Sequence, residues 1–268
     1  MGNIKLSIVT VCKNEEKRVR RTIKSVLMQA GIDYEYIVLD GKSEDNTLDV
    51  LKSYEKEFED KGVSYRIISK SDSGIYNAMN NALEYINGEW VIYLNAGDCF
   101  YSKQTTQMLA DSNFQGDIVY GDVILVENGY YKTQKAADYH SLPIMMPFCH
   151  QSVFCRAEIL KEYRFREKYR IAADYDLLLR AFIDGKKFEY IHESISIFSQ
   201  DGQSIKNAWK CHAEIMKSGR EVCGPNIKNQ CKSIINSIIR LGKLFLANIF
   251  NDQYHSKNRG WRKLKKTW

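Results

Sequence analysis

The chain has 268 residues, 44% hydrophobic and 27% charged, a make-up suited to one large globular domain, with or without an appendage, around a sizeable core. No run of about 18 apolar residues occurs, so no bilayer-spanning helix is expected. The net charge of +6 is uneven: residues 226–268 hold ten Lys and Arg against Asp252 alone, which leaves residues 1–225 at −3. A mildly acidic body argues against nucleic acid as its partner, and the basic end reads as an interaction tail.

In chain order, strand-like runs alternate with helical patterns. The N-terminus, MGNIKLSIVTVCKNEE, lacks the basic region, apolar stretch and cleavage site of an export signal. Seven irregularly spaced cysteines fit reduced thiols in a cytoplasm. Strands are expected at Lys5–Cys12, Tyr34–Asp40, Ser64–Ser69, Trp90–Asn95 and Asp117–Val123. Helices are expected between them, where Val19, Ile23, Val26, Leu27 and Ala30, then Leu48, Leu51, Tyr54 and Phe58, then Ile75, Met79, Ala82, Leu83 and Ile86 recur at helical spacing. Near-continuous apolar strands separated by amphipathic helices predict an α/β fold with a mostly parallel sheet covered on both faces. From about Gly129 the alternation breaks into loops and a small mixed sheet. A helix over Asp174–Ile183, a strand near Phe188–Phe198 and a helix from Gln203 to about Val222 then follow. Two halves, about 1–128 and 129–225, are therefore expected in the body, followed by the tail 226–268.

Ligands on such sheets bind at the carboxyl ends of the strands. Asp40-Gly41-Lys42-Ser43 imitates a phosphate-binding loop, but Tyr36 stands where that loop needs glycine, and Glu44 and Asp45 would repel a phosphate. No G-x-G-x-x-G follows the first strand. Cys149, His150 and Cys155 do not have the spacing of a zinc finger. Instead, small polar groups close each strand: Thr10, Val11, Asn14 and Glu15 after the first, Asp40, Lys42 and Ser43 after the second, Lys70, Asp72 and Gly74 after the third, and Asn95, Ala96, Gly97 and Asp98 after the fourth. Asp40 suits a base N–H or ribose hydroxyl. Gly74 opens a helix whose free amides suit a diphosphate. Asp98 offers hard oxygen to a divalent cation, while Ala96 and Gly97 leave room for a sugar. Each alone is an ordinary turn or cap residue; their collection at four strand ends points to a donor site.

The stretches SIVTVCKNEE, YIVLDGKSEDNT, SDSGIYNAMNNAL, GEWVIYLNAGD, PFCHQSVF and RIAADYDLLLR, in that order over residues 4–204, resemble the family 2 glycosyltransferases of bacterial surface-polysaccharide synthesis. The resemblance implies a Rossmann-like, A-type nucleotide-diphospho-sugar transferase fold, a divalent metal (Mn²⁺ or Mg²⁺), a UDP-sugar donor and inverting transfer of a hexosyl or N-acetylhexosaminyl group to a saccharide or lipid-linked saccharide. It matches Asn95 to the acid near the ribose, Gly97 to the middle position of an Asp-x-Asp-type motif and Asp98 to its metal-binding acid. Two of that motif's carboxylates are thus missing, which keeps open a catalytically weak nucleotide-sugar-binding protein. Asp174 matches the catalytic base, with a helix N-cap as the plainer reading. Asp176 has Arg180 four residues on, and an ion pair explains it. His150 and Gln151 match a position beside the acceptor pocket.

From Ile227 to Ile249, apolar residues at spacings of three and four give one helical stripe, followed by Lys and Arg interleaved with Trp261 and Trp268. That pattern predicts an amphipathic helix on an anionic membrane surface, hence a peripheral location on the inner face of the cell membrane. Packing on the body or on a second subunit is the alternative.

Overall fold

The computed structural model describes residues 5–31, 33–127, 129–199, 207–224 and 262–263. Four parallel strands form its nucleus: β1 (Leu6–Cys12), β2 (Tyr34–Asp40), β3 (Ser64–Ser69) and β4 (Trp90–Tyr93), in the spatial order β4-β1-β2-β3. Every residue of β1, β2 and β4 is buried, because helices cover both faces of the sheet. Helices α1 (Val19–Leu27), α2 (Thr47–Lys52), α3 (Glu55–Lys61) and α5 (Thr105–Asp111) pack with Leu6, Ile8, Tyr36 and Val38 on one face. Helices α4 (Ile75–Ala82), α6 (Ala157–Tyr163), α7 (Ala173–Ile183) and α8 (Ala208–Cys223) pack with Val9, Val11, Ile37 and Leu39 on the other. The period-two alternation along each strand sends successive side chains to opposite cores.

The second half extends the same sheet. Strand β6 (Ile118–Glu127) pairs antiparallel with β7 (Tyr130–Gln134) and β8 (Val153–Arg156), and parallel with β9 (Phe188–Ser199). Strand β8 joins it to β4, and the two-residue strand β5 (Cys99–Phe100) pairs with β9. Register shifts between Tyr120 and Val123 bend β6 against β9. Gly121 permits the approach there, since a Cβ would stand 2.6 Å from the Glu193 carbonyl oxygen.

Several expected boundaries move. The helical pattern over Leu48–Phe58 is two helices broken at Ser53-Tyr54, where Tyr54 N–H turns back to the Leu51 carbonyl and the Ser53 hydroxyl bonds Val50 O. The fourth strand ends at Tyr93 rather than Asn95. The small mixed sheet expected after Gly129 is present as β6–β9 and is continuous with the main sheet through β8. The short elements β5, α5 and α6 were not apparent in the periodicity. Of the tail, the described part is β10 (Arg262–Lys263), paired with Tyr130 and Tyr131 of β7; the helix expected from Ile227 lies outside the described residues. Among the described residues, no helix is long and apolar enough to cross a membrane.

Candidate active site

The strand registers place Cys12 beside Asp40 and Asp40 beside Ser69, so the first three strands finish level. Asp40 is buried and accepts from the Ser69 hydroxyl (2.6 Å) and the Ser43 N–H (3.2 Å). The Asp72 carboxylate lies against Gly41, and the stem of Lys13 covers the same glycine. Burial, together with the charges of Asp40, Glu15, Asp45 and Asp72, pushes the Cys12 thiol far up and leaves it unreactive. This end of the cleft is an acidic floor bordered by the exposed Lys13, Lys42 and Lys70.

Two loops above that floor are tied together. Asn14 N–H donates to the Ser43 hydroxyl (2.8 Å), Glu44 N–H to Asn14 Oδ1 (2.8 Å), and Glu15 N–H to the Thr47 hydroxyl (2.7 Å). Asn14 and Lys42 both hold left-handed backbone, φ 54° and 56°, a conformation that collects at functional loops. The bonds to Ser43 and Asn14 occupy those side chains in holding the loops. Thr10 is fully buried, with its hydroxyl given to the Leu94 carbonyl (2.7 Å), and the Val11 side chain belongs to the core. Gly74 caps α4, yet its N–H already donates to Asp72 Oδ1 (2.9 Å) and that of Ser73 to Asn77 Oδ1 (3.3 Å). A diphosphate would have to displace a carboxylate to use this helix end.

The fourth strand's extension, Asn95-Ala96-Gly97-Asp98, carries different partners. Gly97 has φ 101° and donates its N–H to Thr22 Oγ1 (2.9 Å). A Cβ on it would stand 2.7 Å from Nε and Nη2 of Arg18, so the guanidinium lies against the glycine. Asp98 is buried and accepts from Gln151 Nε2 (3.0 Å). The neighbouring His150 reaches the opposite way: its Nδ1 stands 3.1 Å from Asp174 Oδ2, and its Nε2 stands 3.4 Å from Asn95 Nδ2. The other oxygen of Asp174 accepts from the Tyr76 hydroxyl (3.0 Å). Consecutive residues His150 and Gln151, in a short 3-10 turn before β8, thus join carboxylates from two remote parts of the chain.

Asp174 is the second residue of α7 rather than its cap, a position occupied by Ala172. Burial favours its neutral form, but the hydrogen bond and charge of His150, the Tyr175 N–H and the Tyr76 hydroxyl outweigh burial and hold its carboxyl below the ordinary range. Burial likewise pulls His150 down, yet Asp174, with the charge of Asp98 behind it, holds the imidazole above its ordinary value. Burial and the Asp174 charge push Tyr76 well up, so it remains a donor. Asn95 Oδ1 is buried and accepts no hydrogen bond. Rotating that amide by half a turn would set Oδ1 against His150 Nε2, where an imidazolium N–H can satisfy it.

A divalent cation held on Asp98 would have to be completed from outside the protein. Among the described residues no three His, Cys, Asp or Glu side chains converge on one point. Asp98 supplies one hard oxygen group, and Mg²⁺ or Mn²⁺ is commonly bound by one or two carboxylates with phosphate oxygens of the substrate completing the shell.

Sequence reading missed the residues that support this arrangement. Tyr76 carries an ordinary core pattern, and only its place beside Asp174 distinguishes it. Glu214 of α8 accepts the backbone N–H groups of Arg170, Ile171 and Ala172 (2.8–2.9 Å) and so fixes the start of α7. Arg170 donates to the Ser73 carbonyl (2.8 Å), and Glu167 accepts from Asn77, Asn80 and Ser73, joining this loop to the donor-side loop. Asp176 is fully buried between Arg180 (2.9 Å) and the Ser218 hydroxyl (2.8 Å), which places it in the framework between α7 and α8.

Residues 7–177 match the family described as Glycosyl transferase family 2. A PGL/p-HBAD biosynthesis glycosyltransferase from Mycobacterium bovis is 28% identical over 203 residues, 73% of this chain and 77% of that protein. A GalNAc(5)-diNAcBac-PP-undecaprenol beta-1,3-glucosyltransferase from Campylobacter jejuni is 24% identical over 223 residues, 78% of this chain and 71% of that protein. Among solved structures, S. aureus TarS 1-349 in complex with UDP-GlcNAc superposes with a TM-score of 0.64 at 15% identity, covering 95% of this chain and 76% of that one. A Pyrobaculum calidifontis mannosyltransferase in complex with GDP-Man and Mn²⁺ gives 0.60 at 16% identity, covering 93% and 72%. At these identities the structural neighbours share the fold.

Proposed function

The chain belongs to glycosyl transferase family 2 and is a glycosyltransferase, and we propose that it transfers a sugar, with inversion, from a UDP-sugar to a hydroxyl of a saccharide or lipid-linked saccharide. The observation that carries this reading is the pair His150-Gln151, which holds Asp174 at one end and Asp98 at the other. Inverting transfer needs a base for the acceptor hydroxyl on one face of the sugar and charge stabilisation for the departing diphosphate on the other.

In this reading the acceptor oxygen attacks the anomeric carbon as the bond to the diphosphate breaks, and Asp174 takes the hydroxyl proton. Each oxygen of Asp174 retains a lone pair beside its bond to Tyr76 or His150. His150 positions the carboxylate and keeps it ionised. The strand ends with Asp40, Lys42, Lys70 and Asp72 hold the nucleoside end, and Asn95, Ala96 and Gly97 form the floor beneath the donor sugar. A divalent cation on Asp98 and the donor's phosphate oxygens would screen the charge of the leaving diphosphate.

A hexose or N-acetylhexosamine donor and a role in surface-polysaccharide synthesis complete the proposal. The lipid-linked acceptor draws support from the Campylobacter relative, whose own name contains an undecaprenol-linked saccharide. It also gives the basic tail a purpose at the inner membrane face. The test is a panel of UDP-, GDP- and dTDP-sugars, with Mn²⁺ and with EDTA, read by thermal shift and by release of nucleoside diphosphate. Selective stabilisation and turnover by UDP-sugars is the expected result. A chain that no nucleotide sugar stabilises or reacts with would overturn the proposal.

A further inference from the structure

We propose that Arg18 is a binding residue for the donor's diphosphate and retains the donor in the cleft without a metal; this rests on the reading of the cleft as a nucleotide-sugar site. The argument begins at Gly97. Its φ of 101° disfavours a side chain, and a Cβ would collide with Nε and Nη2 of Arg18 at 2.7 Å. Glycine at 97 and the guanidinium over it are therefore one arrangement. The space that a side chain at 97 would enter is held by a cation, one residue from Asp98.

Arg18 is tied to Glu15 by its backbone and by its side chain. Its N–H turns back to the Glu15 carbonyl (2.9 Å) just ahead of α1, and Nη1 lies 3.6 Å from the Glu15 carboxylate. The side chain is still 34% exposed, so it is accessible to a ligand. The alternative anion seat, the start of α4, is used internally: the N–H groups of Ser73 and Gly74 donate to Asn77 and Asp72. Lys13 lies over Gly41 near the acidic floor, at the nucleoside end. Among the described residues, Arg18 is the cation whose guanidinium lies against Gly97. A guanidinium stays charged at every working pH and matches two phosphate oxygens with two parallel N–H groups.

The experiment is titration calorimetry of the full-length chain with UDP and with uridine, each in EDTA and in Mn²⁺, for wild type, Arg18→Gln and Arg18→Lys. Wild type is expected to bind UDP in EDTA more tightly than uridine. Arg18→Gln is expected to weaken UDP binding in EDTA about 10- to 100-fold and leave uridine binding unchanged. Arg18→Lys, which retains the charge and loses the fork, should fall between them. Equal UDP affinity in wild type and Arg18→Gln would overturn the proposal, as would parallel loss of UDP and uridine, which marks a structural residue. Wild type that binds UDP only with Mn²⁺ overturns it while leaving the glycosyltransferase reading intact. Wild type that binds no nucleoside diphosphate under either condition overturns both.

Discussion

Replacing the Asp174 carboxylate by an amide removes the proton acceptor and the negative charge that faces His150, while the amide oxygen can still accept from Tyr76. Asp174→Asn is therefore expected to lower the transfer rate by about 10²- to 10⁴-fold, with UDP affinity near that of wild type. Transfer within tenfold of wild type would place the base elsewhere. His150 offers a second measurement, in stability. Its value is raised above the ordinary 6.5, so its favourable interaction with Asp174 is complete below 6.5 and is lost as pH rises through the raised folded value. Asp174 is depressed below its ordinary 3.8, so its share is present above 3.8 and is lost as pH falls through the folded value. The stability difference between wild type and His150→Gln in urea unfolding should be largest between about pH 4 and 6.5 and shrink toward pH 8. A difference that is flat over that range would mean that the imidazole is neutral in the fold. Both residues were legible in the sequence because they sit in motifs. Tyr76 and Arg18 were not, because a motif names the residues at a strand end and says nothing about which side chains arrive over it from other elements.

Elements place these residues, and one contact between elements fixes the start of α7. Glu214 gathers the three N–H groups of the segment that leads into α7, so that α8 sets where Asp174 stands. Glu214→Ala should cost about 2 kcal/mol in urea unfolding, the scale of hydrogen bonds to one charged group. It should lower kcat more than it weakens UDP binding, and Glu214→Gln should recover part of both losses. An unchanged melting curve for the alanine variant would remove α8 from this role. The long periodic elements were readable because both core faces impose their own spacing: β2 and β3 fall where the alternation puts them. The break between α2 and α3 was hidden, because Leu48, Leu51, Tyr54 and Phe58 keep helical spacing across it, and the Ser53 turn leaves that spacing unchanged. Strands β5 and β8 are two and four residues long, below the length at which a period can be seen.

At the scale of the whole molecule the sign of the charge changes along the chain, with +9 on residues 226–268 and −3 on the rest. The net charge of the body offers an anionic bilayer no attraction, so the tail is the part of the chain suited to attachment. Arg262 and Lys263 pair through their backbones with the edge strand β7, which brings the basic end onto the sheet. Lys257, Arg259, Lys265 and Lys266 flank that pairing in the sequence and leave its backbone bonds untouched if substituted. Each basic side chain near an anionic surface contributes roughly 1 kcal/mol, diminishing with salt. Changing these four to Gln in the full-length chain should therefore reduce partitioning onto phosphatidylserine-containing vesicles on the order of 100- to 1,000-fold at low salt. Release of UDP from a water-soluble acceptor reaction should be unchanged, because the residues that build the described cleft all precede residue 225. Turnover with a lipid-linked acceptor in such vesicles should fall with the partitioning. Wild type that stays in the supernatant with anionic vesicles at low salt would eliminate the membrane role and leave the tail as a packing segment on the body or on a second copy of the chain.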